Sequence, residues 1–457
     1  MKFVRITRTA IASIVLAAMF ALATVGFAQS DWSTPESERA GLFLVEQFDS
    51  SGPDAWSVAD HPLIYITSES YDTTENATLA EDADFVGFHL IDAYSKEVIT
   101  QAYFRYDPET TVTRGPHGVD VSPDGKWAYV GWSETPAGDR ETSYVAVVNM
   151  RTLKIDKLFM QESYYQGEMR RQRLHHVQSW TDVDGNDRVI LQFGFGADGG
   201  PHFILDPNDD NRVVRAINYD DVHPMGHPFT TPSPDGKTVY VSMGSPEIRD
   251  MHSYAAGVAK VDLETGSVTT IMGTGHHPIG ITHTADGSTS YVVDGHSSQV
   301  FRIDNETNEI TGISSAGVAG PYGIALNWDE SELYLVGKGE GSHNRGGVLG
   351  VIDTRIFRPA RSFNQPITLG GSAASIDHAI LHPDPEVNEL WISNMKGWET
   401  IVLDLATRTP IAYIPTPSGG DTHSGAFVRY DADWNGLLMS DMGGPKAQEM
   451  RDIILDR

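Results

Sequence analysis

The sequence predicts an all-β chain folded as a seven-bladed β-propeller of four-stranded antiparallel blades, with eight blades as the open alternative. Two observations carry this. One phrase recurs along the chain at spacings of 45 to 59 residues, and the segments between its copies read as strands of five to eight residues with no convincing helix. The chain is also 457 residues long without a linker, so a repetitive architecture has to bury it.

The first thirty residues read as an address. Lys2, Arg5 and Arg8 precede an apolar run from Ala10 to Val25, and Gly26-Phe27-Ala28 is a small-residue cleavage site. Residues 1–28 are therefore expected to be a signal peptide and 29–457 a single propeller domain. The apolar run is short for a membrane span of about 20 residues, and no later segment is long enough. An exported, periplasmic protein is expected, with a retained N-terminal anchor as the minor alternative.

The full phrase reads Gly115-Pro116-His117-Gly118, then Ser122-Pro123-Asp124-Gly125-Lys126 and the strand Trp127-Ala128-Tyr129-Val130. It returns at His227 with Pro234-Asp235-Gly236, and at His277 with Ala285-Asp286-Gly287. Weaker copies start at His176, Tyr322, His378 and His423. Pro presets φ and Gly accepts positive φ, so Pro-Asp-Gly joins two antiparallel strands tightly. Each third strand ends in Asp or Asn before a polar turn, as at Asn149, Asp262, Asp304, Asp353 and Asp404. The strands around Ile64, Phe88 and Val98 are expected to complete the last blade and so close the ring. An eighth blade would require residues 42–46 to form its first strand. Residues 72–84 and 339–347 read as loops.

Composition narrows the function. With 33 Lys+Arg against 62 Asp+Glu the formal charge is −29, which argues against nucleic acid or an anionic membrane surface as partner. The chain has no cysteine. Disulfides, iron–sulfur clusters, thiolate copper and Cys-linked haem are thereby excluded, and any metal must be held by His, Asp, Glu, Met or backbone.

In a propeller the first strand of each blade faces the central channel. The repeat register therefore places His117, His176, His227, His277, Tyr322, His378 and His423 at equivalent positions around one ring, with His175, His223, His276, Asp377 and Asp421 beside them. Imidazoles from separate strands suit copper, zinc, iron or nickel, and neighbouring carboxylates would orient the second ring nitrogen. The competing interpretation is that each His only caps a strand start in a wet channel. His61, His89, His202, His252, His283, His296 and His343 share no register and are expected on loops or the surface. The basic run from Tyr164 to Leu174 offers arginines beside His175 and is also compatible with a solvated loop. No Gly-x-Ser-x-Gly is present, and Ser424 beside His423 lacks support as a nucleophile.

The segment Val121-Ser122-Pro123-Asp124-Gly125-Lys126-Trp127-Ala128-Tyr129-Val130 and its copies resemble the YVTN-type propeller repeats. With histidines at the blade starts and an export signal, the chain is similar to the multicopper propellers, namely thiocyanate dehydrogenase and the catalytic propeller of nitrous-oxide reductase. The resemblance implies a copper cluster in the channel held by His117, His176, His277, His378 and His423, with His227 joining them and Asp421 or Asp377 in support. It implies a small inorganic sulfur- or nitrogen-containing substrate, with Tyr322 orienting it or donating a proton. It also implies a soluble cytochrome or cupredoxin as electron acceptor. Tyr322 departs from a fully histidine-lined ring, and no lysine of the N-terminal blade matches the thiocyanate enzymes' active-site lysine. A haem d1-binding propeller and a non-catalytic binding scaffold remain the alternatives.

Overall fold

The computed structural model describes residues 40–45, 56–70, 86–104, 111–114, 116–135, 142–165, 168–170, 174–194, 200–218, 221–222, 229–244, 256–340, 346–360, 366–371 and 373–457. The expected signal peptide, the loop 72–84, and His223, His227, His252 and His343 lie outside them. Among the described residues, no helix is long and apolar enough to cross a membrane.

Seven antiparallel sheets follow one another around a ring, as expected of a seven-bladed β-propeller. Their first strands are Val119–Val121, Leu174–Thr181, Thr230–Pro232, Pro278–His283, Pro321–Leu326, Ile376–Leu381 and Gly425–Tyr430. The turn chemistry is as the repeat implies. Gly125, Gly236 and Gly287 all have φ near +70°. The carboxylates of Asp262 and Asp304 accept backbone N–H groups two and three residues on, a local bond that ends each strand.

Both faces of every blade are apolar because each is pressed between two neighbours. The core is accordingly a circle of seams: Phe88, Val119 and Trp132 between the last blade and the first, Trp180, Ile190 and Val241 between the second and third, Tyr65, Trp391 and Phe427 between the sixth and seventh. The outermost strands, such as Glu309–Ser315 and Thr409–Pro415, alternate exposed and half-buried positions instead.

The N-terminal strands close the ring. Leu63–Ser70 pairs antiparallel with Gly425–Tyr430, setting Tyr65 opposite Phe427, and Val86–Asp92 and Val98–Phe104 extend that blade outward. The eight-blade alternative falls, because Ala40–Leu44 joins the outer edge of the first blade against Lys154–Tyr165. The chain end also departs from the repeat. Gly436–Asp441 pairs with the opposite edge of Gly425–Tyr430, the edge facing the axis. The hairpin it forms crosses the channel. Ser440 Oγ donates to Leu381 O at 2.8 Å, Thr282 Oγ1 to Gly443 O at 3.3 Å, and Lys446 Nζ to Gln178 Oε1 at 3.4 Å, partners on the inner strands of three other blades. A helix, Gln448–Leu455, follows and buries Met450 and Ile454. The sequence reading contained no helix, since two turns give too few apolar positions to show a 3.6-residue period.

Candidate functional site

The register of the first strands breaks where the ring residues lie. In the second blade Leu174 pairs with Phe193 and His176 with Gln192, so His175 is an extra residue. In the sixth, Ile376 pairs with Asn394 and Ala379 with Ile392, so three steps on one strand meet two on the other, across Asp377 and His378. The fifth blade does the same across Tyr322 and Gly323. Such bulges re-aim side chains that strict alternation would send to opposite faces. They let consecutive residues, His175 with His176 and Asp377 with His378, serve one site.

Neighbouring inner strands approach closely at glycines. A Cβ on Gly323 would stand 2.5 Å from Asp377 O and 2.7 Å from His378 Cα, and one on Gly118 3.3 Å from His176 Cα. These contacts draw adjacent blades together at the level of the imidazoles.

The result is a buried cluster. The His117 ring lies 3.8 Å, centroid to centroid, from His423, 4.2 Å from His175 and 5.5 Å from His176, and His176 lies 4.9 Å from His378. Two sets of ligand-type atoms converge to within 4.8 Å of one another: His117, His175 and His176, and His117, Asp377 and His423. The Tyr322 hydroxyl is 3.1 Å from His176 Nε2 and 3.4 Å from His175 Nε2, within hydrogen-bond reach of both. Phe229 stacks against His378 at 6.1 Å and forms an apolar wall where the third blade meets the site.

Asp377 organises the charge. Its Oδ2 is 2.9 Å from His423 Nδ1 and its Oδ1 2.8 Å from Lys338 Nζ, which also stands 3.7 Å from the centre of the Tyr322 ring. Burial opposes charge on Asp377, but Lys338, His378 and His423 overcome it and hold the carboxyl well below the usual carboxylate range. Burial pushes the His378 imidazole down to about 4, against the pull of Asp377. His423 shows the opposite balance. Burial resists its protonation, yet the bonds to Asp377 and Asp421 raise its pKa above the ordinary value. Asp421 Oδ2 stands 3.7 Å from His423 Nε2.

The site thus gathers His117, His176, His378, His423 and Tyr322 from the expected ring, and Asp421 from the groups expected beside it. His277 belongs to neither convergent set. It is half-buried at the rim, where burial lowers its pKa against the charges of Glu340 and Asp294. His227 falls outside the described residues, two positions before Phe229. The sequence reading placed His175 and Asp377 only beside the ring, and it missed Lys338 and Phe229. Adjacent His175-His176 and Asp377-His378 at blade starts were the available signal. Three further histidines correct the expectation of loop or surface positions: His89, His202 and His283 are all buried. Each sits on a strand, and a strand packed on both faces buries its residues whatever their register.

No family model matches the chain, and no curated protein matches it. Solved structures similar to it include a hydrazine synthase of Kuenenia stuttgartiensis, at 15% identity over 72% of this chain and 94% of that one, TM-score 0.49. Dihydro-haem d1 dehydrogenase NirN, solved in complex with DHE, is similar at 13% identity over 92% of this chain and 86% of that one, TM-score 0.49. A functionally unknown protein from Desulfotomaculum acetoxidans is similar at 12% identity over 79% and 98% of the two chains, TM-score 0.49. At these identities the likeness is one of fold alone.

Proposed function

We propose that the channel histidines hold a multinuclear copper site and that the protein is an exported, periplasmic oxidoreductase acting on a small inorganic sulfur- or nitrogen-containing substrate. The observation that carries this reading is His117, whose ring is common to both convergent sets, so that two adjacent positions share one blade start. The donors are imidazoles and one carboxylate, a set that suits copper or zinc better than hard cations. His378 Nε2 is buried 3.9 Å from Asp377 Oδ2 and has no hydrogen-bond partner among the described residues, which leaves it a further candidate donor.

Copper bound there would polarise a small ligand and take up its electrons. The protein's own groups supply the rest. Asp377 holds His423 through Nδ1 and so fixes which nitrogen faces the site. Tyr322 lies within reach of both His175 and His176 and is placed to orient a substrate or release a proton toward it. Asp421 flanks His423 on the other side. Electrons leave to a soluble cytochrome or cupredoxin, because a chain without cysteine carries no thiolate copper or Cys-linked haem. The basic start and apolar run expected of a signal peptide at residues 1–28 support export.

The test is elemental analysis together with the visible spectrum of metal-replete protein isolated from the periplasm. Copper in more than equimolar amount, lost in a His117→Ala variant that keeps its circular dichroism, is the expected result. Protein that takes up no copper overturns the reading, and tetrapyrrole absorption bands in its place assign the channel to haem d1.

A further inference from the structure

Beyond the histidines, the C-terminal hairpin brings a second ionisable group into the channel. Asp120, on the inner strand Val119–Val121, is fully buried, and Asp441, at the end of Gly436–Asp441, is 2% exposed. The two carboxyl groups are neighbours in the channel, near enough for each to feel the other's charge. A carboxylate oxygen only accepts, so a bond between two carboxyls needs a proton on one of them. The Ser179 hydroxyl and the Val121 amide lie beside Asp120 without meeting hydrogen-bond geometry, and neither Asp120 oxygen nor Asp441 Oδ2 receives a hydrogen bond from another described group.

The charge count points the same way. Lys446 Nζ, 3.2 Å from Asp441 Oδ1, is the one ammonium at the pair among the described residues. Arg451 is turned aside, donating to Lys446 O and Gln448 Oε1. Burial holds His283, which feels the same Lys446, neutral with its pKa pushed down to about 3. Two carboxylates against one ammonium would leave an uncompensated charge buried in the channel, which burial strongly disfavours.

We propose that Asp120 and Asp441 form a proton-binding site, an acid and a carboxylate sharing one proton at neutral pH, which seals the C-terminal hairpin into the channel. Burial and the charge of Asp441 both hold the Asp120 carboxyl well above the carboxylate range. Burial raises Asp441 as well, against Lys446. The site is independent of any metal at the histidines. Its sign is fixed: the folded chain keeps a proton that the unfolded chain releases above about pH 4. This site alone therefore raises the unfolding constant about tenfold per pH unit, until the folded pair gives up its proton.

Infrared spectroscopy of the wild-type protein at neutral pH is expected to show the carbonyl stretch of a protonated carboxyl group, shifted in deuterium oxide and lost in Asp120→Asn and in Asp441→Asn. Denaturant unfolding between about pH 5 and pH 8 is expected to show a pH slope in wild type that exceeds that of Asp120→Asn by one proton. Absence of the wild-type band overturns the proposal whether or not a variant folds, and so do equal slopes. Calcium or sodium stabilising wild type but not Asp120→Asn also overturns it, since a cation would then satisfy the pair.

Discussion

His117 and His423 open the first and the last of the seven repeats, and their rings meet at 3.8 Å. Ring closure by Leu63–Ser70 is what makes them neighbours, because it seats the last blade beside the first. Two residues at opposite ends of the repeat array thereby become one half of a site.

Removing His117 is therefore expected to do more than removing any other ring residue. His117→Ala takes a ligand from both convergent sets, whereas His277→Ala takes one from neither. Bound metal per chain should fall to near zero in the first and stay within error of wild type in the second, with both retaining their circular dichroism. Equal losses in the two would show that His277 completes the site.

Asp377 and Lys338 should shift metal affinity in opposite directions. Asp377→Asn removes the acceptor that holds His423 and is expected to weaken binding about 10- to 100-fold, the usual effect of losing an orienting carboxylate. Lys338→Met frees Asp377 and removes a half-buried positive charge that repels a cation, so affinity should rise. Calorimetric titration with copper and with zinc measures both.

Gly323 tests the packing that assembles the cluster. An alanine methyl there overlaps Asp377 O and His378 Cα, so the inner strands of the fifth and sixth blades must separate. A cost of about 1–3 kcal/mol is expected, with loss of metal. Gly346→Ala, whose Cβ would meet nothing closer than 3.5 Å, should be near neutral. Urea midpoints together with metal content read the difference.

Acid should destabilise the fold through two buried histidines that belong to neither convergent set. Burial pushes His202 and His283 down to about 3, so the fold refuses protons that the unfolded chain accepts below about pH 6.5. Stability then falls on acidification by about 1.4 kcal/mol per pH unit for each, from about 6.5 toward 3. Urea midpoints from about pH 4.5 to 7.5 should show this slope. His202→Phe is expected to reduce it by one proton; an unchanged slope would mean that His202 takes up its proton in the fold.

Much of the fold was legible because propeller geometry is written locally. Pro-Asp-Gly at 123–125 and the aspartates at 262 and 304 shape turns through their own φ angles and their own side-chain bonds, which need no distant partner. The blade starts were legible for the same reason, and with them His117, His176, His378 and His423. The C-terminal hairpin was not. Gly436–Asp441 carries the pattern of an ordinary second strand, and only the prior claim of Leu63–Ser70 on the outer edge of Gly425–Tyr430 turns it into the channel.

The sequence by itself determined a ring of blades and the residue type that heads most of them, since repeat spacing and turn chemistry depend on neighbours in the chain. Tertiary structure alone decided which of those residues share a site. Bulges at His175 and across Asp377-His378 override the alternation of a strand, and glycines at 118 and 323 set how near the blades come. Lys338 and Phe229 join from positions that no period marks. Alternation is a property of one strand, whereas convergence belongs to several strands packed around an axis, and no single stretch of sequence encodes it.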